Sequence, residues 1–288
     1  MDTSEILKRV RQVEIKTRGL SQNIFAGEYH TAFKGRGMTF SEVREYQYGD
    51  DVRNIDWNVT ARYNRPYIKV FEEERELTVM LLIDVSGSRE FGTGFKTKKN
   101  IITEIAAVLS FSAIQNNDKI GVIFFSDKIE KYIPPQKGKK HILYIIRELV
   151  GFEPSSKRTD IGSAVKYFTN ATKKRCTAFV ISDFLDENFS EALTVANRKH
   201  DIVALQVFDF RETELPAVGL MKITDAETGK ETWIDTSNKK TRNAYAEHWR
   251  KKQTALSDIF QKSGIDNVQI STEDDYVRAL MRLFKMRG

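Results

Sequence analysis

Asp84, Ser86 and Ser88 alternate with Val85 and Gly87 in the string Asp84-Val-Ser-Gly-Ser88, which closes a long apolar run. Where the backbone is extended, every second side chain points the same way, so one carboxylate and two hydroxyls can be turned towards a common point. Hard oxygen donors of this kind suit Mg²⁺ or Mn²⁺. The plainer reading is that Asp84 caps the turn after a strand, as aspartate often does. Two further oxygen groups occupy comparable places later in the chain. Thr159 lies in Arg158-Thr-Asp-Ile-Gly162, opening an expected helix, and Asp183 ends the run CTAFVISD. Each has an ordinary role by itself, helix capping for Thr159 and turn formation for Asp183. Three such groups at one edge of a sheet would place five oxygens around a single cation.

The elements that must position them are legible from hydrophobic periodicity. Leu77–Ile83, broken only by Thr78, is what a strand buried on both faces looks like. After it, expected helices (100–116, 140–150, 160–171, 191–198) alternate with expected strands (119–126, 128–133, 176–183, 201–209). The short strand over 128–133 is expected to stop at Pro134-Pro135. A β-hairpin around Thr228-Gly-Lys230, with strands over 220–225 and 231–235, precedes a helix over 243–263, a strand over 267–271 and a helix over 273–285. Strands alternating with helices indicate an α/β fold with a doubly wound, mostly parallel sheet and helices on both faces. In such sheets ligands bind beyond the carboxyl ends of the strands, where Asp84, Thr159 and Asp183 fall.

Composition narrows the class. Over 288 residues, 40% hydrophobic and 30% charged describes an ordinary globular chain rather than a disordered one. No stretch approaches the ~20 apolar residues of a membrane helix, and MDTSEILKRVRQVEIK has no apolar signal core. The single cysteine, Cys176, excludes an internal disulfide and fits a reducing compartment, so a cytoplasmic location is expected. The net charge of +6 admits an acidic partner, but the basic residues are spread out and no nucleic-acid-binding signature accompanies them.

Upstream, residues 3–22 carry the apolar spacing of an amphipathic helix. The string from Arg44 to Trp57, with Asp50, Asp51, Arg53 and Asp56, is poor for regular elements and rich for side-chain networks. Arg–Asp pairs beside a buried Trp57 would clamp a non-repetitive segment in place, and a partner-docking surface that also includes Arg36 is the alternative. Tyr67 to Phe71 reads as a strand. With Trp57, Tyr67, Ile68 and Phe71 needing burial, residues 1–75 are expected to pack on the domain formed by 76–288, whose hairpin insertion lies near 218–237.

Asp84-Val-Ser-Gly-Ser88, together with Thr159 and Asp183, resembles the metal-ion-dependent adhesion site of von Willebrand factor A domains. GRGMTFSEVREYQYGDDVRNIDWNVTAR and YIKVFEEERE, ahead of DVSGS, resemble a narrower bacterial family, domain-of-unknown-function family fifty-eight, whose members carry an A-type domain. The resemblance runs from about Gly35 to the C-terminus. It implies a Rossmann-like A domain, a divalent cation (Mg²⁺ or Mn²⁺) and a MoxR-type AAA+ ATPase as partner. It also implies that Ser86, Ser88 and Thr159 ligate the ion directly, that Asp84 and Asp183 act through water, and that a partner protein supplies an acidic side chain to the remaining position. The expected function is therefore a metal-dependent protein-interaction module, an adaptor or substrate-recognition partner rather than an enzyme.

Two other classes were weighed. A nucleic-acid-binding protein would use the Arg36, Arg44 and Arg53 region. A metal-dependent hydrolase would use the same ion, but Gly92-Thr-Gly-Phe-Lys-Thr97 lacks the P-loop spacing and no G-x-S-x-G elbow surrounds Ser86 or Ser88. The second aspartate that usually follows a phosphatase's nucleophilic aspartate is replaced by Ser86. His30, His141, His200 and His248 are scattered and read as surface or core residues.

Overall fold

The computed structural model describes residues 37–74, 77–94 and 96–287, with Lys8, Arg11, Gln12 and Glu14 ahead of them. The helix expected over 3–22 therefore lies almost wholly outside the described residues, as does Arg36. The chain falls into two compact units, Lys34–Leu77 and a larger one containing Thr78–Gly288.

In the smaller unit, β1 (Gly37–Glu45) pairs antiparallel with β2 (Tyr67–Glu74), with a register shift between Phe40 and Glu42. Between them lies the short helix α1 (Trp57–Tyr63), preceded by a single 3₁₀ turn, Val52–Asn54. The expectation of an irregular stretch from Arg44 to Trp57 is thus corrected at both ends. β1 runs to Glu45 because Thr39, Phe40 and Val43 favour extended backbone and β2 supplies the partner. Trp57 opens a helix instead of filling a core, and it is 70% exposed.

In the larger unit, six strands form one sheet in the order β10-β7-β6-β3-β4-β5. They are β3 (Thr78–Asp84), β4 (Lys119–Phe125), β5 (Ile129–Gln136), β6 (Thr177–Ser182), β7 (Asp201–Phe208) and β10 (Asp266–Ser271). All neighbours run parallel except β5. β5 continues through Pro134 and Pro135 rather than stopping before them. As the sheet's edge strand it has a side with no ladder to feed, which is where proline is tolerated.

Helices α2 (Lys98–Gln115), α3 (Lys139–Gly151), α4 (Ile161–Ala171), α5 (Ser190–Lys199), α6 (Phe210–Thr213), α7 (Lys239–Ser263) and α8 (Tyr276–Arg287) fill the connections. The expected α/β class and the helices on both faces are what the structure has. Met80 and Leu82 of β3 face a core shared with Ile161, Val165 and Phe168 of α4, Leu193 of α5 and Phe260 of α7. Val79, Leu81 and Ile83 alternate to the other face and are equally buried, on the side of α2 and α3. The two-stranded hairpin of β8 (Leu220–Thr224) and β9 (Glu231–Asp235) stands outside the main sheet. Among the described residues, no helix is long and apolar enough to cross a membrane.

His200 and Cys176 belong to this core. The Cys176 Sγ lies 3.5 Å from His200 Nδ1, and Phe168 stacks at a tilt on the imidazole with centroids 4.6 Å apart. Burial pushes the thiol up to about 12 and the imidazole down to about 4. The unfolded chain, with His200 near 6.5, therefore takes up a proton that the folded chain refuses. Stability that is complete above about pH 6.5 should fall as the pH drops towards 4, by on the order of 2–3 kcal/mol from this group. Urea unfolding across that range checks it. His200→Phe, which takes up no proton, should flatten that part of the profile.

Candidate functional site

β3 lies in the middle of the sheet, with β4 and β5 on one side and β6, β7 and β10 on the other. After β5 the chain crosses over β3 to begin β6, so the switch in winding direction falls between β3 and β6. Open α/β sheets have their ligand crevice at this point, beyond the carboxyl ends of the strands. Asp84 ends β3, Asp183 follows β6 directly, and Thr159 precedes α4, the helix that leads into β6. Asp84, Ser86, Ser88 and Asp183 come together there, and the loop that carries Thr159 touches the serine loop where the Gly87 amide donates to the Lys157 carbonyl at 2.9 Å.

Asp84 is held from two sides. The Ser86 amide donates to its Oδ1 at 2.9 Å and the Ser182 hydroxyl to its Oδ2 at 2.7 Å. Both carboxylate oxygens thus already have a donor. The Ser86 and Ser88 hydroxyls are 3.1 Å apart, and Ser88 also hydrogen-bonds Asp183. Burial, reinforced by the charge of Asp183, pushes the Asp84 carboxyl up to about 6. Two buried carboxylates that repel in this way create a demand for positive charge.

Part of that demand is met by Lys98, in the first turn of α2 and 1% exposed. Its Nζ lies 2.9 Å from Asp183 Oδ2 and 2.6 Å from Glu212 Oε1. Burial would drive the proton off this ammonium, but Asp183 and Glu212 outweigh it and hold the pKa above the ordinary value. Burial also opposes ionisation of the two acids. Lys98 and the hydrogen bonds prevail at Asp183, which sits below the usual carboxylate range, while burial prevails at Glu212. Glu212 in turn accepts the Asp209 amide at 2.8 Å in a capping box that starts α6. Asp209 accepts from Thr93 and Thr272, fixing the loop after β3 and the end of β10 to the same network.

The Thr159 loop is fastened separately. Glu130 of β5 collects donors from Ser126, Ser155 and Ser156, and the Ile161 amide donates to Asp186 at 2.8 Å. Thr159 Oγ1 itself donates to Glu227 Oε1 at 2.8 Å, reaching the turn between β8 and β9. Gly87 admits that turn closely: a Cβ there would stand 2.5 Å from the carbonyl oxygen of Ala226. Phe184, directly after Asp183, has φ +56°, a region costly for an aromatic residue. Its buried ring, packed on Phe189 and Phe260, holds it there.

Among the described residues, no three His, Cys, Asp or Glu side chains converge to hold a metal ion. A cation at this edge must therefore draw on hydroxyls, and the residues present fit one. Ser86 and Ser88 set hard neutral oxygens beside the Asp84 and Asp183 carboxylates, which is the donor chemistry that Mg²⁺ takes. Of the two residues that follow the serines, Arg89 is buried with its charge acting on Asp84, and Glu90 points to solvent. Arg89 donates to the Phe152 carbonyl, and Glu90 is exposed with Lys99 at 2.8 Å.

The described upstream candidates belong to the smaller unit. Arg44 makes two parallel bonds to Asp50, at 2.9 and 2.7 Å, and the Gln47 amide also donates to Asp50 at 2.7 Å. That is the expected clamp, reduced to one pair and only partly buried. Asp51 and Asp56 instead cap the short helices through the amides of Arg53, Asn58 and Val59, and the Arg53 residue is exposed. The clamp does not bury Trp57. Tyr48, Val52, Trp57 and Tyr63 are all exposed.

Sequence reasoning missed Lys98, Glu212, Ser182 and Glu227. Ser182 stood in plain view one residue before Asp183. A lysine between Thr97 and the apolar run of α2 gave no sign that it would be buried.

Residues 42–255 match the family described as "Protein of unknown function DUF58". The chain belongs to this family. An uncharacterised Mycobacterium tuberculosis protein, Rv1480, is 27% identical over 292 residues, covering all of this chain and 91% of its own. YeaD of Bacillus subtilis is 28% identical over 109 residues, 38% of this chain and 25% of the other. Among solved structures, an aerotolerance-related membrane protein from Bacteroides fragilis superposes with a TM-score of 0.50 at 16% identity, over 73% of this chain and 99% of that one. The DUF58 chain has the Rossmann-like fold of von Willebrand factor A domains, with a hairpin inserted after β7.

Removing the Lys98 ammonium would leave Asp183 and Glu212 facing each other uncompensated. Lys98→Met should cost about 3–5 kcal/mol by chemical denaturation, the usual loss when one partner of a buried ion pair is removed. Saturating Mg²⁺ should return part of that loss, since a divalent ion beside Asp183 replaces the missing charge.

Proposed function

We propose that this DUF58 protein is a metal-dependent protein-interaction module whose working surface is the carboxyl edge of β3 and β6. The observation that supports the reading is the hydrogen-bonded set of Asp84, Ser86, Ser88 and Asp183 at the sheet's switch point, with the Thr159 loop bonded to the serine loop through the Gly87 amide and the Lys157 carbonyl. Ser86, Ser88 and Thr159 would hold a Mg²⁺ or Mn²⁺ ion directly, with Asp84 and Asp183 behind them. Such an ion, bound mainly through neutral hydroxyls, retains much of its charge and attracts one acidic side chain from a partner protein.

The chain's own residues supply the geometry for that contact. The Ser86 amide and the Ser182 hydroxyl keep Asp84 from swinging forward into the site. Lys98 fixes Asp183, and of the two serines Ser86 is fully buried while Ser88 is partly exposed. Ser86 and Ser88 are hydrogen-bonded to Asp84 and Asp183, the carboxylates that would stand behind the ion.

A MoxR-type AAA+ ATPase is the partner that the family resemblance suggests, with the module acting as its adaptor or substrate-recognition subunit. The exposed aromatics of the smaller unit, Tyr48, Trp57 and Tyr63, are the residue types that anchor protein contacts and would provide a second surface. A cytoplasmic setting suits this role.

Affinity capture from a bacterial lysate in Mg²⁺, repeated in EDTA, tests the reading. A partner retained in Mg²⁺ should be released by EDTA and lost with Asp84→Ala, while circular dichroism of the variant stays that of the wild type. Equal capture under all three conditions overturns a metal-dependent contact.

A further inference from the structure

The hairpin of β8 and β9 carries an acidic side chain into the site already described. Glu227 Oε1 accepts the Thr159 hydroxyl at 2.8 Å, and the Glu227 carboxylate is half-buried near Asp183 and Asp186. Thr159 is one of the three hydroxyls proposed to ligate the ion. The turn that presents Glu227 is internally braced. Asp225 Oδ1 accepts the amides of Glu227 at 3.0 Å and Thr228 at 2.8 Å, the Asp225 amide donates to the Lys230 carbonyl, and Gly229 closes the turn at φ +69°. The backbone is seated as well as the side chain, because the Ala226 carbonyl rests where a Cβ on Gly87 would be, between the two serines. A surface hairpin with no place in the main sheet thus meets the Asp84–Ser88 loop at Gly87 and the loop before α4 at Thr159.

We infer that Glu227 is an internal carboxylate for the metal position, so that the β8–β9 hairpin covers the docking face and a partner's acidic side chain must displace it. This inference rests on the reading of the site as a divalent-cation site. Glu227 reaches Thr159, one of the groups that would surround the position a partner's carboxylate would fill. The smallest motion that opens the face is a swing of the hairpin that breaks the Glu227–Thr159 hydrogen bond. The six-stranded sheet is left intact by it, since β8 pairs only with β9.

Mn²⁺ serves as the probe on the full chain, with water-proton relaxation reporting both the affinity and the number of exchangeable waters on the bound ion. Glu227→Ala should weaken Mn²⁺ binding by about tenfold, as expected when a charged ligand is lost, and raise the relaxivity of the bound ion. Added acetate should lower that relaxivity again in Glu227→Ala and leave the wild type unchanged. In hydrogen exchange, Mg²⁺ should slow the amides of residues 225–230 in the wild type but not in Glu227→Gln. Mn²⁺ binding that is lost with Ser86→Ala but is identical in the wild type and both Glu227 variants, with hairpin exchange unaltered, overturns the role of Glu227 alone. Absence of Mn²⁺ binding by the wild type overturns the metal reading and this inference together.

Discussion

The carboxyl edge of the sheet is organised by a charge problem. Asp84 and Asp183 terminate adjacent strands and are almost completely shielded from water, and Glu212 is brought alongside by the capping box that starts α6. Three acids in so dry a place are tolerable only with cations to match. Lys98 reaches Asp183 and Glu212, and the buried Arg89 acts on Asp84, whose carboxyl burial still pushes up to about 6. Fixing Lys98 fixes the start of α2, and fixing Glu212 fixes Asp209, Thr93 and Thr272. The loops after β3, β6, β7 and β10 are therefore tied together through one ammonium group. The residual negative charge beside the serine hydroxyls is what an added divalent ion would relieve.

That electrostatic arrangement depends on backbone placement enforced from the apolar interior. β3 is buried along its whole length after Thr78, so its register against β4 and β6 cannot slip without turning core residues outward. Asp84 consequently emerges opposite Phe125 of β4 and within reach of Ser182. Phe184 shows the same control at closer range. Its left-handed backbone turns the chain sharply after Asp183, and the free energy needed to hold it comes from ring burial against Phe189 and Phe260. Packing places the polar groups, and the polar groups then set the local field.

How much of this the sequence reveals depends on the range of the interaction involved. β3, β4, β6 and β7 are legible because burial on both faces leaves a continuous apolar run, and their order of alternation with helices dictates a wound sheet. Asp84, Ser86, Ser88, Thr159 and Asp183 are legible because each sits at the end or start of such an element. β1 is obscured by Gly37 and its charges, and it exists because β2 pairs with it. Trp57 was misplaced because a large aromatic side chain was assumed to seek burial, whereas Asp56 makes it the first residue of a capped helix. Lys98 and Glu212 meet across 114 residues of sequence, and no local pattern marks either one.

The hairpin illustrates the remaining gap between pattern and placement. Alternation around Thr228-Gly-Lys230 is enough to predict two strands and a turn, but not the surface the turn rests on. That surface is set by Gly87, whose missing side chain lets the Ala226 carbonyl approach the serine loop. The glycine between the two serines is needed there for space and not for its backbone, since it leaves the gap into which the hairpin settles. A larger residue at position 87 would push the hairpin away and carry Glu227 off Thr159. That one small residue therefore decides how closely the serine loop is approached by its own chain.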